Sequence, residues 1–458
     1  MYKEAIQDAI SMHELPSKWS SDVLNEAKTA ANKKKIARFR KDLRKLNFAT
    51  IDGEDAKDFD DAVYCVKNSN NFTLYVAIAD VSFYVTPGSK IDIEAKKRGT
   101  SIYFPETVIP MLPENLSNGI CSLRPNEDRC SMICEMSIGL DGKRNKYKFY
   151  SGLINSKARL TYNQVEKHLN KSSSIKQAGV RDSIKHLKDL TNLRLKLRNQ
   201  RKALEINPME TTLELSASKE VKNIVLKKSL FAHKLVEESM LLANESAAEF
   251  MQERLNLGVY RIHEDPDPSK LEALKKHFKI SPKLVKKFSP LEIVNLCLDQ
   301  ANKKNDSTGQ ILILQSLARA EYSTNNLGHF GLQLTQYSHF TSPIRRYPDL
   351  LVHRLINSSL AQKKIQTRQN ELQDECENSS MLERRAEKAS RQVEQVLICD
   401  YLKSKIGSTM DGVVTGVTDF GLFINLEPYF ISGLLHVSDL PDDRYHFLPD
   451  RNALKEKE

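Results

Sequence analysis

The segment TIDGEDAKDFDDAVY, residues 50–64, decides how the rest of the chain is read. It sets six acids between Asp52 and Asp61 in a protein whose overall charge is basic. Like charges this close repel, so a fold that gathers them needs a compensating cation. Asp58 and Asp60 flank Phe59 and would share one face of an extended segment, with Asp61 on the other. Asp52 closes the preceding strand, and Gly53 lets the chain bend between them. Carboxylate oxygens with no nearby His or Cys suit Mg²⁺ or Mn²⁺ rather than zinc. An EF-hand does not fit, because neither Asp52 nor Asp55 starts a loop with Gly at the sixth position and Glu at the twelfth. A solvated acidic loop has the same composition, and spacing alone does not separate the two readings.

The balance of the chain favours the metal reading. Lys plus Arg total 69 against 59 Asp plus Glu, a formal charge of +10. A surplus of that size favours a polyanionic partner. Basic surface to gather a polyanion, with one acidic focus to hold metals, is what phosphodiester chemistry requires. At 40% hydrophobic and 28% charged residues, the composition is that of a globular protein with a real core. The seven cysteines are irregularly spaced with no zinc-knuckle or redox pair, which predicts reduced thiols. No signal peptide is recognisable, and no stretch approaches the roughly 18 apolar residues of a membrane helix. The expectation is a soluble cytoplasmic protein.

At roughly 150 residues per domain, 458 residues allow about three domains or one large one with appendages. Residues 1–48 are lysine-rich and helix-prone, anchored by Pro16 and Trp19, and predict a helical lead-in. From Thr50 to about Leu123 the pattern is β-rich, and LYVAIADVSFYV (74–85) reads as a buried strand ended by a polar turn. Asp80 there is read as a turn or supporting residue rather than a ligand. Residues 157–256 read mainly as helix, and LFAHKLVEESMLLANESAAEF (230–250) is apolar on more than one side, as a buried helix would be. A further helix is predicted to begin near Ser380, which has capping-box spacing to Glu383, and to end before Gly407. Beyond it, MDGVVTGVTDFGLFINL (410–426) and SGLLHVSDL (432–440) alternate as strands of a small β module.

On these blocks the sequence resembles the ribonuclease II and ribonuclease R family, ribonuclease R the more closely, from about residue 49 to the end. TIDGEDAKDFDD (50–61), IYFPETVIPMLPENLSNGICSL (102–123), YRIHEDP (260–266) and GHFGLQLTQYSHFTSPIRRYPDLLVHR (328–354) are similar to its hallmark blocks, in order. The resemblance implies an α+β protein: a mixed α/β RNB-type catalytic domain over residues 49–404, then a partial all-β OB-fold module of the S-one type over 407–458. It implies processive 3′-to-5′ hydrolysis of single-stranded RNA to nucleoside 5′-monophosphates, by a monomer without a nucleotide cofactor. Two Mg²⁺ ions are implied, with Mn²⁺ as the alternative, held by Asp52, Asp58, Asp60 and Asp61, and Asp60 is the residue whose loss abolishes cleavage.

Other roles carry over residue by residue. Tyr103 is similar to the tyrosine that stacks on the 3′-terminal base and sets the length of the final fragment; stacking is worth about 1–3 kcal/mol per base and is indifferent to sequence. Arg345 matches the arginine that clamps the scissile phosphate. Its neighbour Arg346 remains an alternative, because adjacent residues point apart. Glu238 lies in VEESMLLAN (236–244), which resembles a helix lining the RNA channel. Phe420, Phe423 and His436 match base-stacking positions of the OB module. A catalytically weak or inactive RNA-binding relic is the competing reading. Two departures from the family pattern matter. The 48 residues before the motif are too few for a cold-shock domain, and the 52 from Gly407 predict an open barrel with a frayed C-terminus. A fragment, or a split or shortened gene, would account for both, with weaker RNA grip and processivity as the consequence.

Overall fold

A computed structural model describes all residues except 34–38, 171–174, 207–210, 282–287, 305, 364–366, 428, 430, 442–444, 449–452 and 457–458. Strands β1 (Lys41–Asp42), β2 (Ala49–Asp52), β3 (Asp61–Lys67), β4 (Asn71–Ala79), β5 (Ile102–Phe104), β6 (Thr107–Ile109), β7 (Asp128–Gly139), β8 (Arg144–Asn155) and β9 (Ala158–Thr161) cover the first third. Seven of them form one sheet in the order β1-β8-β7-β4-β3-β2-β9, while β5 and β6 make a separate hairpin. The middle of the sheet is antiparallel, and its two outer pairs, β1 with β8 and β2 with β9, are parallel.

Both faces of this sheet are covered, which explains its apolar runs. Along β4, Phe72, Leu74, Val76 and Ile78 point into one core while Tyr75, Ala77 and Ala79 point into the other. On β7, Met132, Cys134 and Met136 point into the first core and Ile133 between them into the other. Helices Ala178–Gln200, Phe231–Arg254 and Tyr347–Leu360 close the first face through residues such as Ile184, Leu235 and Val352. Helices Ser21–Ala31 and Lys90–Arg98 close the second through Val23, Ala27, Ile91 and Ala95. Each large apolar side chain so buried is worth about 1.5–3 kcal/mol.

The predicted buried helix is present as Phe231–Arg254, with buried residues around much of its circumference. Other expectations are corrected. The run 74–85 does not stay extended: β4 stops at Ala79, and Val81–Tyr84 form a helical turn. Asp80 between them is in a buried ion pair with Arg40 at 2.6 Å. The helical stretch 157–256 is interrupted by an antiparallel hairpin, Thr211–Leu215 with Val221–Leu226. The helix expected near Ser380 starts at Gln369 and runs unbroken to Lys403. Ser380 lies inside it, buried, donating to the Cys376 carbonyl and accepting from the Tyr322 amide, both at 2.9 Å. Its spacing to Glu383 is not a cap.

In the C-terminal module, strands Gly412–Val417, Gly421–Leu426 and Ile431–His436 form an antiparallel sheet. A Cβ on Gly421 would fall 2.3 Å from the Leu435 carbonyl oxygen, so only glycine permits this close approach. The charged tail expected to be strand-poor instead contributes Ala453–Glu456, paired with Tyr445–Leu448. Among the described residues these two sheets share no backbone ladder. The expectation of fraying concerns in part residues 450–452 and 457–458, which lie outside the described residues.

Distant blocks meet where Tyr260–Ile262 pairs with Glu321–Ser323. Imidazoles knit this junction: Gly331 N–H donates to His263 Nδ1 at 3.1 Å and Leu332 N–H to His329 Nδ1 at 3.2 Å. Burial lowers the pKa of both rings, that of His329 to about 3. A ring with a lowered folded-state pKa binds fewer protons folded than unfolded, so its stabilising contribution fades as pH falls below 6.5 toward 3. The stability advantage of the wild type over His329→Asn in urea unfolding is therefore expected to shrink by about 1–2 kcal/mol between pH 7.5 and pH 5.

Candidate active site

The four aspartates are positioned by two strands and the loop between them. Asp52 ends β2, and its carboxylate accepts from the Gly53 amide at 2.7 Å. Asp61 opens β3. The loop between is pinned by Ser122, whose hydroxyl donates to the Lys57 carbonyl at 2.7 Å and accepts from the Phe59 amide at 3.0 Å. Leu123 N–H reaches the Phe59 carbonyl at 3.0 Å, and Ala79 N–H the Asp60 carbonyl at 2.8 Å. Phe59 is buried by these contacts, which turns its two neighbouring carboxylates toward a cavity of about 2300 Å³. Asp52, Asp58, Asp60 and Asp61 all line it.

Asp60 lies deepest, with 5% of its surface exposed. Its Oδ1 accepts from the Ile344 amide at 2.8 Å, and its Oδ2 faces Arg345 Nε at 3.7 Å. Burial raises the pKa of all four acids, strongly at Asp60 and to about 7 at Asp61, where Asp52 adds to the effect. Arg345 opposes the rise at each of them. Arg345, joined by Arg159 only at Asp52, thus faces four carboxylates, which leaves a deficit of positive charge.

That deficit, with an oxygen-only donor set, fits hard divalent cations such as Mg²⁺ or Mn²⁺. Among the described residues no three such groups stand together as a ready-made cage. The fit therefore lies in charge and donor type, with the final ligand geometry left to the cation.

The structure separates the two arginines. Arg345 leaves 43% of its side chain exposed toward the cavity and donates to Ser342 Oγ at 3.0 Å. Arg346 also touches the cavity but is mostly covered and paired with buried Asp349 at 2.7 Å. Burial works against its charge, but Asp349 outweighs it and raises the guanidinium pKa. The Arg345 carbonyl accepts from Ser101 N–H at 2.9 Å and Thr100 Oγ1 at 3.0 Å, just before the β5–β6 hairpin. On β5, Ile102 and Phe104 turn into a core, and Tyr103, 44% exposed, turns into the cavity.

Glu238 is not on the cavity wall, which corrects the expectation of channel contact. It is 1% exposed and faces Arg198 at 3.2 Å and Arg194 at 3.6 Å on the neighbouring helix. The lining positions of its own helix are Val236, Glu237, Met240, Leu241 and Asn244, one helical face at spacings of three, four, seven and eight. That periodicity was available in the sequence. Asn244 bonds the Tyr337 hydroxyl at 3.0 Å and accepts from Phe340 N–H at 2.8 Å, anchoring the segment that ends in Ile344 and Arg345. Tyr162, also on the wall, stacks on His233 with centroids 4.1 Å apart. Neither Asn244 nor Tyr162 carries a motif cue of its own. In the C-terminal module Phe420 is exposed and meets Phe423 edge-on at 6.0 Å, while His436 is exposed and bonded to Ser438.

With this geometry in view, the comparisons are consistent along the chain. The RNB domain family matches residues 40–362, and the S1 RNA binding domain matches residues 403–458. Ribonuclease R of Vibrio parahaemolyticus is 39% identical over 466 residues, covering 97% of this chain and 55% of the relative. Ribonuclease R of Escherichia coli is 40% identical over 465 residues, covering 97% and 57%. The structure of Mycoplasma genitalium RNase R bound to ribose-methylated single-stranded RNA superposes with a TM-score of 0.93 at 30% identity, covering 99% of this chain and 72% of that one. The chain belongs to the RNB-domain family of ribonuclease II and ribonuclease R, and it spans a little over half the length of those curated relatives. Among the described residues no helix is long and apolar enough to cross a membrane.

Two predictions follow from the charge arrangement. Millimolar Mg²⁺ is expected to raise the melting temperature of the wild type and to leave that of Asp60→Asn nearly unchanged, since ligand binding to the native state alone is stabilising. Arg346→Met should cost about 3–5 kcal/mol in urea unfolding by stranding buried Asp349. Arg345→Met, which strands no fully paired buried charge, should cost far less.

Proposed function

We propose that this chain is a 3′-to-5′ exoribonuclease that processively hydrolyses single-stranded RNA to nucleoside 5′-monophosphates. The observation that carries the reading is the convergence of four aspartates, Asp60 buried and the other three half-buried, and one accessible arginine on a deep cavity. Lysines at its margin, Lys219, Lys222 and Lys227, suit a phosphate backbone. Membership of the RNB family supports the same reading.

Each residue then has a physical task. Tyr103 offers its ring to the 3′-terminal base, and stacking of this kind does not depend on which base it is. Arg345, held by its carbonyl and by Ser342, presents a guanidinium to the scissile phosphate, where charge and forked geometry act together. Asp52, Asp58, Asp60 and Asp61 would hold two divalent cations, which supply the electrophilic charge and an activated water for in-line displacement. Asp60 is fixed by the Ile344 amide, so the arginine and the innermost carboxylate move as one unit. In the C-terminal module, Phe420, Phe423 and His436 extend the stacking surface for RNA.

A 5′-labelled single-stranded RNA with Mg²⁺ tests the proposal in a gel time course. Stepwise shortening to a short limit fragment is expected, abolished by a chelator and reduced at least 10³-fold by Asp60→Asn, in the range lost with essential charge stabilisation. RNA binding without cleavage by folded wild-type protein would point instead to an RNA-binding relic.

A further inference from the structure

The N-terminal helix Tyr2–Met12 lies outside the residues matched by the RNB family, yet it packs against the hairpin that carries Tyr103. Ala5 and Ala9, one turn apart, are buried in a cluster with Ile102, Phe104, Ala389 and Val393. Small residues on that face let the helix approach helix Gln369–Lys403 closely, and His13 bonds Gln392 on it at 2.8 Å. At the start of the helix, the Tyr2 hydroxyl donates to the Pro105 carbonyl at 2.5 Å and lies 2.7 Å from Thr107 Oγ1. These groups flank Glu106, the turn residue of the hairpin, which has a left-handed backbone with φ of 54°. Two further contacts hold the hairpin: Ser390 Oγ donates to the Tyr103 carbonyl at 2.7 Å, and Glu106 pairs with Lys219.

A two-stranded hairpin of three-residue strands is too short to fix a side chain by its own ladder. Ile102 and Phe104 set which face is inward, and Tyr103 takes the opposite one by alternation. The remaining freedom is a rocking of the turn, which would swing the Tyr103 ring across the cavity. The Tyr2 hydroxyl opposes that motion, because it grips the turn from both sides of Glu106 while its helix is seated on helix Gln369–Lys403.

We infer that Tyr2 is a positioning residue for the base-stacking site: through the Pro105–Thr107 turn it sets the placement of the Tyr103 ring, and thereby the grip on the RNA 3′ end and the length at which shortening stops. The inference rests on reading Tyr103 as the surface that stacks on the terminal base.

The test uses the full chain, Tyr2→Phe, Tyr103→Ala and the double variant, with RNA bearing 2-aminopurine as its 3′-terminal base. In chelator, quenching of that base reports stacking without cleavage. Tyr2→Phe keeps the ring in its apolar seat and removes only the hydroxyl, so its melting temperature should stay close to wild type. Expected are a Kd from terminal-base quenching and a KM both raised about 2- to 10-fold, the scale of one net hydrogen bond. The turnover at saturating RNA should be unchanged and the limit fragment longer. On the Tyr103→Ala background, Tyr2→Phe should add nothing. Wild-type quenching and limit length in Tyr2→Phe, or an equal penalty with Tyr103 absent, would overturn the inference. If the wild type quenches but does not cleave, the nuclease reading fails while the quenching comparison still decides this one. Absence of quenching in the wild type would remove the stacking site and the inference with it.

Discussion

Gathering four carboxylates, one buried and three half-buried, around Arg345 is costly, and much of the structure between residues 49 and 346 serves to enforce it. Desolvation penalises each charged form, and the mutual repulsion of the acids adds to that. Such an arrangement persists only if the surrounding fold leaves the loop no alternative. The covered mixed sheet supplies that constraint by fixing Asp52 and Asp61 at strand ends. Ser122 pins the intervening loop from one side, and the Ile344 amide engages Asp60 from the other. The resulting electrostatic deficit, with oxygen-only donors, is what fits the site to hard cations.

Adjacent arginines illustrate how backbone direction divides labour. Arg346 is spent on stability, paired with buried Asp349 at the start of a helix, whereas Arg345 stays accessible beside Asp60. The same loop is tied to the segment before Tyr103 by two hydrogen bonds to the Arg345 carbonyl. Tyr103, Arg345 and the acidic focus are therefore mechanically continuous, although Tyr103 and Arg345 are far apart in sequence.

Legibility in the sequence followed the range of the interactions involved. Motif blocks exposed the aspartates, Tyr103 and the Arg345–Arg346 pair, because their residue types and order are constrained locally. The long helix Phe231–Arg254 was visible for the same reason. Ser380 misled, since capping spacing also arises inside a helix, where its hydroxyl instead serves the Tyr322 amide across a packed interface. The hairpin Thr211–Leu226 was hidden among strong helix formers, and its strands are held by packing of Leu213 and Val221 on a distant cluster. Glu238 is adjacent to another acid, Glu237, and the two look alike in sequence; only the packed helix, which sets Arg194 and Arg198 against Glu238, shows that it is the buried one.

By itself the sequence determined the donor chemistry: an oxygen-only acidic focus in a basic chain, with aromatic and guanidinium partners in ordered blocks. Periodicity located individual helices and strands, because it is a local property of the backbone, while the fold class came from the resemblance of the ordered blocks to the family. Tertiary structure alone decided which arginine meets the aspartates, which glutamate is buried and which helical face forms the cavity wall. Those outcomes depend on the rotation of one element against another, and that rotation is set by side chains far apart in sequence that only packing brings together.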